Sequence, residues 1–133
     1  DFVFETSGLV LRGQIDLWFE AGKELVVVDY KTDRAPDQRA IDAHSLQLRI
    51  YALALEKAVG RTPTRAVLAF LRLGRQVEVA VSPLFLNEAR DAVYRFRQSQ
   101  ETVQFPLVTG NHCRTCEFFA GACPAGREGT AAR

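Results

Sequence analysis

Two aspartates and a lysine are the residues whose types and spacing most directly suggest chemistry. Asp29 and Lys31 flank Tyr30 at the exit of the apolar run Leu25-Val26-Val27-Val28, and Asp16 closes the segment Gly13-Gln14-Ile15-Asp16. On an extended chain, residues two apart project to one face, roughly 6–7 Å apart. Asp29 and Lys31 therefore share a face, and Asp16 is placed on the neighbouring strand of the same hairpin. Two carboxylates so arranged can share a hard, oxygen-preferring cation, Mg²⁺ or Mn²⁺, with the Tyr30 carbonyl as a further ligand. Without a cation or a proton between them they would repel. A lysine beside such a metal can orient the attacking water or offset charge building on a phosphate. Each piece has an ordinary reading too: aspartates are common where strands end, and Asp29-Tyr30-Lys31 alone could be a solvated strand end. The three together are a much stronger signal than any one of them.

A third signal follows. Gln47 and Tyr51 are four residues apart, so on a helix both lie on one face. Tyr51 could serve simply as core, but a polar amide between Leu46 and Leu48 on a core-facing helix costs free energy unless it finds partners. Positioning the active-site strand or a nucleic acid would supply them.

The elements needed to hold these residues can be read from periodicity. Phe2 to Glu5 is a short strand, and Leu9 to Glu20 alternates as one longer strand with Leu9, Leu11, Gly13, Ile15, Leu17 and Phe19 on one side. Ala21-Gly22-Lys23-Glu24 turns it into the buried strand Leu25 to Tyr30, making a hairpin. Thr32 to Asp42 is polar, contains Pro36, and reads as a loop. His44 to Val59 has helical spacing closed by Gly60. Arg65 to Leu73 and Gln76 to Val81 form a second hairpin about Gly74-Arg75. Pro83 reads as a break before a second helix from Leu86 to about Glu101, with Ala89, Val93 and Phe96 on one face. The order β-β-β-α-β-β-α implies an α/β domain with a mixed central sheet flanked by helices. Residues 1–102 would form the core, and 103–133 a loop-rich, cysteine-containing tail.

The sequence Gly13-Gln-Ile-Asp16, then Val27-Val-Asp29-Tyr-Lys31-Thr32-Asp33, then Gln47-Leu-Arg-Ile-Tyr51, resembles the RecB-like nucleases of the PD-(D/E)XK superfamily. It is most similar to nuclease domains fused to UvrD/RecB-type helicases, the AddA-like and RecB-like enzymes of double-strand-break repair. The resemblance spans roughly residues 8–124 and implies a restriction-endonuclease-like fold. It also implies that Asp16 and Asp29 bind metal, that Lys31 is the catalytic lysine, and that Gln47 and Tyr51 form the helical motif of the site. The family's upstream histidine ligand has no counterpart here, since neither His44 nor His112 stands at that position. In the same resemblance, Cys113-x-x-Cys116-x₆-Cys123-Pro124 is similar to tails that hold a [4Fe–4S] cluster. Such clusters usually take four thiolates, and the chain has three cysteines. The expectation is a cluster only in a longer parent protein. Zinc with His112, or three uncommitted thiols, are the other readings of this tail.

Composition sets the outer bounds. The chain has 133 residues, 47% hydrophobic and 25% charged, with a formal net charge of +1. This is a normal balance for one globular domain. No global basic field announces nucleic acid, so DNA contacts must come from a local patch. The chain contains no methionine, which we read as a piece cut from a longer polypeptide. No apolar run nears the ~20 residues that span a bilayer, and no secretory signal is visible, so a cytoplasmic protein is expected. The function expected is Mg²⁺-dependent hydrolysis of DNA, as an exonuclease working beside a helicase domain in break repair. The alternatives are a non-catalytic DNA-binding or scaffold module and a stand-alone exonuclease of the CRISPR-adaptation type.

Overall fold

Strand pairing organises the first ninety-eight residues. The computed structural model describes residues 1–119 and 121–128, and the chain divides into two units, Asp1–Gln98 and Ser99–Arg133. In the first unit, β1 (Phe2–Thr6) and β2 (Leu9–Gly13) form a two-stranded antiparallel sheet. A four-stranded sheet runs in the order β3 (Leu17–Ala21), β4 (Glu24–Lys31), β5 (Arg65–Phe70) and β6 (Arg75–Val79). The pairing of β4 with β5 is parallel and the other two are antiparallel, so the sheet is mixed as expected. Helix α1 (Gln38–Val59) supplies the crossover that a parallel β4–β5 pair requires. Helix α2 (Pro83–Thr102) follows β6.

Burial follows the period of two along β4. Leu25 and Val27 join the main core with Leu48, Ala52 and Leu55 of α1 and Leu68 and Phe70 of β5. Leu86 and Ala89 of α2 enter the same cluster. Val26 and Val28 point the other way, where they meet Val67 and Ala69. Leu17, Phe19 and Tyr30 border that second patch and stay partly exposed.

Several sequence expectations change. The single strand read from Leu9 to Glu20 is two strands, broken at Gln14–Asp16. The break exchanges faces: Ile15 packs on the main core, whereas Leu17 and Phe19 stand opposite Val28 and Val26 and line the other face. The loop read over Thr32–Asp42 ends early, because Asp37 caps α1 by accepting from the Ala40 N–H at 2.8 Å. Pro36 thus announces a helix start and not a longer loop. Likewise Pro83 opens α2 instead of breaking the chain before it, since its missing N–H costs nothing in a first turn. The strand expected to reach Leu73 stops at Phe70 and passes into a 3₁₀ turn over Leu71–Leu73, with Gly74 left-handed at φ 58. Finally, Ala89 and Val93 are buried but Phe96 is exposed.

The second unit is a succession of turns. Asn111–Thr115 forms a 3₁₀ turn and α3 covers Pro124–Glu128. Between them, the Cys116 N–H donates to the Cys113 carbonyl at 3.3 Å and the Cys123 N–H to the Phe118 carbonyl at 2.8 Å.

Candidate active site

Strand β4 carries Asp29 and Lys31 to the face covered by α1, in line with Leu25 and Val27. Asp29 is only 3% exposed, the one buried polar or charged residue among those described. It is therefore not a solvated strand end. The Lys31 ammonium lies 2.6 Å from Asp29 Oδ2. Yet that approach is outside hydrogen-bond geometry, and Oδ2 has no hydrogen bond at all among the described residues. Oδ2 has a cation near it but no donor aimed at its lone pairs. A buried carboxylate oxygen left this way is costly in a low-dielectric setting.

Lys31 is instead directed to α1. Its ammonium donates to Gln47 Oε1 at 2.7 Å, and Gln47 Nε2 donates to the Tyr51 hydroxyl oxygen at 2.8 Å. The four-residue helical spacing makes this relay, as its sequence suggested. One detail differs: Gln47 is exposed, not buried among Leu46 and Leu48. Its amide is satisfied at the rim of the site. The Tyr51 phenol is held above its ordinary pKa of 10.0, first by burial and next by the negative charge of Asp29; Gln47 and Lys31 act in the opposite sense and Asp16 adds to the rise. The phenol therefore stays neutral and keeps a proton to donate. Asp29 and Asp16 thus both act to raise the pKa of this one phenol.

Asp16 reaches the site by a different route. β3 begins at Leu17, paired with Val28, so beyond Val28 that edge of β4 has no strand partner. The Asp16 carboxylate fills the gap, with Oδ2 accepting from the Tyr30 N–H at 2.8 Å. The N–H and C=O of one strand residue face the same edge, so the Tyr30 carbonyl lies on the Asp16 side as well. The Tyr30 ring projects to the opposite face of the sheet.

Gly13 is explained by its neighbour. A Cβ there would stand 2.5 Å from Phe2 Cζ. The Phe2 ring meets Tyr51 edge-on, with centroids 5.5 Å apart, so the first hairpin buttresses the relay.

Some participants escaped the sequence reading. Asp33 continues the Asp29, Lys31 series, and its Oδ1 lies 3.4 Å from His44 Nε2, three residues before Gln47 on α1. The signal was present in both spacings, but it had weight only once the β4 exit was known to run beside the start of α1. The cysteines are a separate matter. Cys113 Sγ accepts from the Gly110 N–H at 3.4 Å and lies 3.8 Å from His112 Nε2. Among the described residues no group of three or more His, Cys, Asp or Glu is placed to hold one metal ion, so the three thiols are not gathered at a centre. A hollow of about 440 Å³ near Leu53, Lys57 and Gly60 lies toward the far end of α1 and belongs to neither site.

The sequence profile of the PD-(D/E)XK nuclease superfamily matches residues 1–124. The chain belongs to this superfamily. Among its relatives is an ATP-dependent helicase/nuclease subunit of Clostridium kluyveri, 37% identical over 60 residues, which are 44% of this chain and 5% of that protein. The protein of the same name from Lachnoclostridium phytofermentans is 31% identical over 80 residues, 57% of this chain and 6% of that one. This PD-(D/E)XK chain thus spans about a twentieth of the length of the curated relatives it matches. In three dimensions it is similar to the crystal structure of SSO0001, with a TM-score of 0.59 at 19% identity, over 93% of this chain and 56% of that one. At that identity the likeness concerns the fold. The restriction-endonuclease-like architecture and the nuclease family are thereby established. Among the described residues, no helix is long and apolar enough to cross a membrane.

Proposed function

We propose that this domain hydrolyses DNA phosphodiesters with Mg²⁺ or Mn²⁺ held by Asp16, Asp29 and the Tyr30 carbonyl. The observation that carries the reading is Asp29 Oδ2, a buried carboxylate oxygen without a hydrogen bond, beside a second carboxylate anchored to the same strand. An oxygen-rich, anionic donor set of this kind fits a hard cation. Such a cation, when bound, lowers the pKa of a water molecule and polarises a phosphoryl oxygen.

The remaining roles fall to side chains. Lys31, fixed between Asp29 and Gln47, offers its ammonium to the attacking water and to charge that accumulates on the phosphate. Gln47 sets the direction of that ammonium, and Tyr51 sets the amide of Gln47. The neutral Tyr51 phenol retains a donor proton at the edge of the site. By likeness to the helicase/nuclease relatives, we read the activity as exonucleolytic, coupled to a helicase in the same chain or complex, in break repair and recombination. Cys113, Cys116 and Cys123 are not gathered at one centre here and would have to be drawn together to serve as three ligands of a cluster site that a longer protein completes.

The test is cleavage of labelled single- and double-stranded DNA across a Mg²⁺ titration. Activity should require the metal, and Asp29→Ala or Lys31→Ala should lower it by roughly 10² to 10³-fold or more, a contribution on the order of several kcal/mol. Metal-independent cleavage, or full activity in either purified variant, would show that this site is not the catalytic one.

A further inference from the structure

Ion pairs occupy many of the arginines in the first unit: Arg49 with Glu88, Arg61 with Glu20, Arg65 with Glu24 and Glu78, and Arg90 with Glu56. Arg34, Arg72 and Arg75 differ. All three are exposed, and among the described residues none is tied to a carboxylate or a carbonyl. They also converge on one end of the sheet. Lys31 stands opposite Phe70 on β5, and Phe70 stands opposite Arg75 on β6. Phe70 faces the α1 side with Leu68, so Lys31 and Arg75 share that face across three adjacent strands. At about 4.8 Å per strand, their backbones lie about 10 Å apart. The His44 ring, 6.4 Å from the Phe70 ring, sits over the same row.

The turn beyond Phe70 projects past the catalytic strand. It carries Arg72 between Leu71 and Leu73, which are 58% and 44% exposed. Gly74, left-handed at φ 58, fixes the reversal into Arg75. Arg34 leaves β4 at the same end, on the segment that leads into α1. Of the carboxylates nearby, Asp33 meets His44 at 3.4 Å, Asp16 and Asp29 belong to the site, and none contacts Arg34, Arg72 or Arg75. The turn itself, Leu71 to Arg75, carries Arg72 and Arg75 and no carboxylate, with Leu71 and Leu73 held out in water on either side of Arg72.

We propose that the β5–β6 turn is a strand guide, in which Arg72 and Arg75 bind successive phosphates of a single nucleic-acid strand and Leu71 and Leu73 meet its bases. This rests on the nuclease reading and names the path of the substrate past Lys31. A span of about 10 Å corresponds to roughly three nucleotides at the ~3.4 Å rise of a stacked strand, fewer in an extended one. A single strand fits better than a duplex, because apolar side chains can reach base faces only where bases are unstacked. Arginine suits the role because its planar fork takes phosphate oxygens in pairs.

The experiment measures binding of a fluorescent oligothymidine in Ca²⁺ across a salt series, together with KM and kcat in Mg²⁺. The double variant Arg72→Ala/Arg75→Ala should bind the oligonucleotide at least roughly tenfold more weakly. The slope of log affinity against log salt should shrink by about 1.4, two contacts at ~0.7 each. The loss should fall on KM, with the melting temperature unmoved because both side chains are exposed and unpaired. Leu71→Ser/Leu73→Ser should weaken binding and leave the slope intact. An unchanged slope in the arginine variant, a loss confined to kcat, or an equal loss on blunt duplex would overturn the guide. Binding and cleavage measured side by side separate the two ideas. If the wild-type protein binds the strand through Arg72 and Arg75 but never cleaves it, the catalytic reading fails and the guide stands. If it cleaves without dependence on the arginines, only the guide fails.

Discussion

At the scale of single residues, the site is a line of groups each of which fixes the next. Asp29 is buried because it shares a face with Leu25 and Val27, and the adjacent Lys31 ammonium balances its charge. Gln47 draws that ammonium toward the helix, and Tyr51 closes the line with a phenol whose pKa is raised by burial and by Asp29. A raised pKa has a consequence for stability. Below pH 10 the phenol is neutral in folded and unfolded chains alike. Above it the unfolded chain loses the proton first, so stability falls as pH rises from 10 toward the folded value. Tyr51→Phe should therefore flatten the alkaline limb of a stability–pH curve measured by urea unfolding. An equally steep limb in the variant would mean that other groups govern it.

At the scale of elements, the first hairpin matters more than its size suggests. Its turn at Ser7 and Gly8 is held by α2, where Arg97 donates to the Ser7 carbonyl at 2.9 Å. Its strands bring Phe2 over Gly13 and against the Tyr51 ring. Gly13→Ala would place a methyl group 2.5 Å from Phe2 Cζ, so the ring must move away and Tyr51 loses its edge contact. The expected cost is on the order of 1–3 kcal/mol, as for other overpacked sites. We expect a lowered melting temperature together with a several-fold fall in kcat. A variant that melts lower but cleaves at the full rate would show that the hairpin supports the fold without setting the relay.

At the scale of the whole molecule, the two units pose different chemical questions. The first carries oxygen donors on β4 and just before β3, and the second carries three thiols on consecutive turns. Thiolate clusters usually take four ligands, and the chain contains three cysteines. Protein purified without oxygen should therefore hold no stoichiometric iron or acid-labile sulfide and show no visible absorption band. One cluster's worth of iron and sulfide per chain would reveal a fourth ligand outside the cysteines. Metal bound at the carboxylates is a separate test of the first unit, since a cation that binds only the folded state raises its stability by mass action.

The sequence by itself determined which polar residues share a face and most of the elements, because those follow from local rules. The period of two put Asp29 and Lys31 on one face, the four-residue step put Gln47 and Tyr51 on another, and both arrangements stand in the structure. Turn glycines at Gly22 and Gly74 marked both hairpins of the main sheet. Only the tertiary structure decided where β2 ends and β3 begins. The alternation of Leu9 through Phe19 looks continuous, and nothing local says that Ile15 and Leu17 serve opposite faces. Nor could local rules foresee that Asp16 caps an orphaned N–H on β4, that Phe2 steadies Tyr51, or that Asp33 meets His44. Each of those depends on residues brought together across long stretches of chain. Strand pairing and the α1 crossover fix such contacts, and no periodicity in the sequence encodes them.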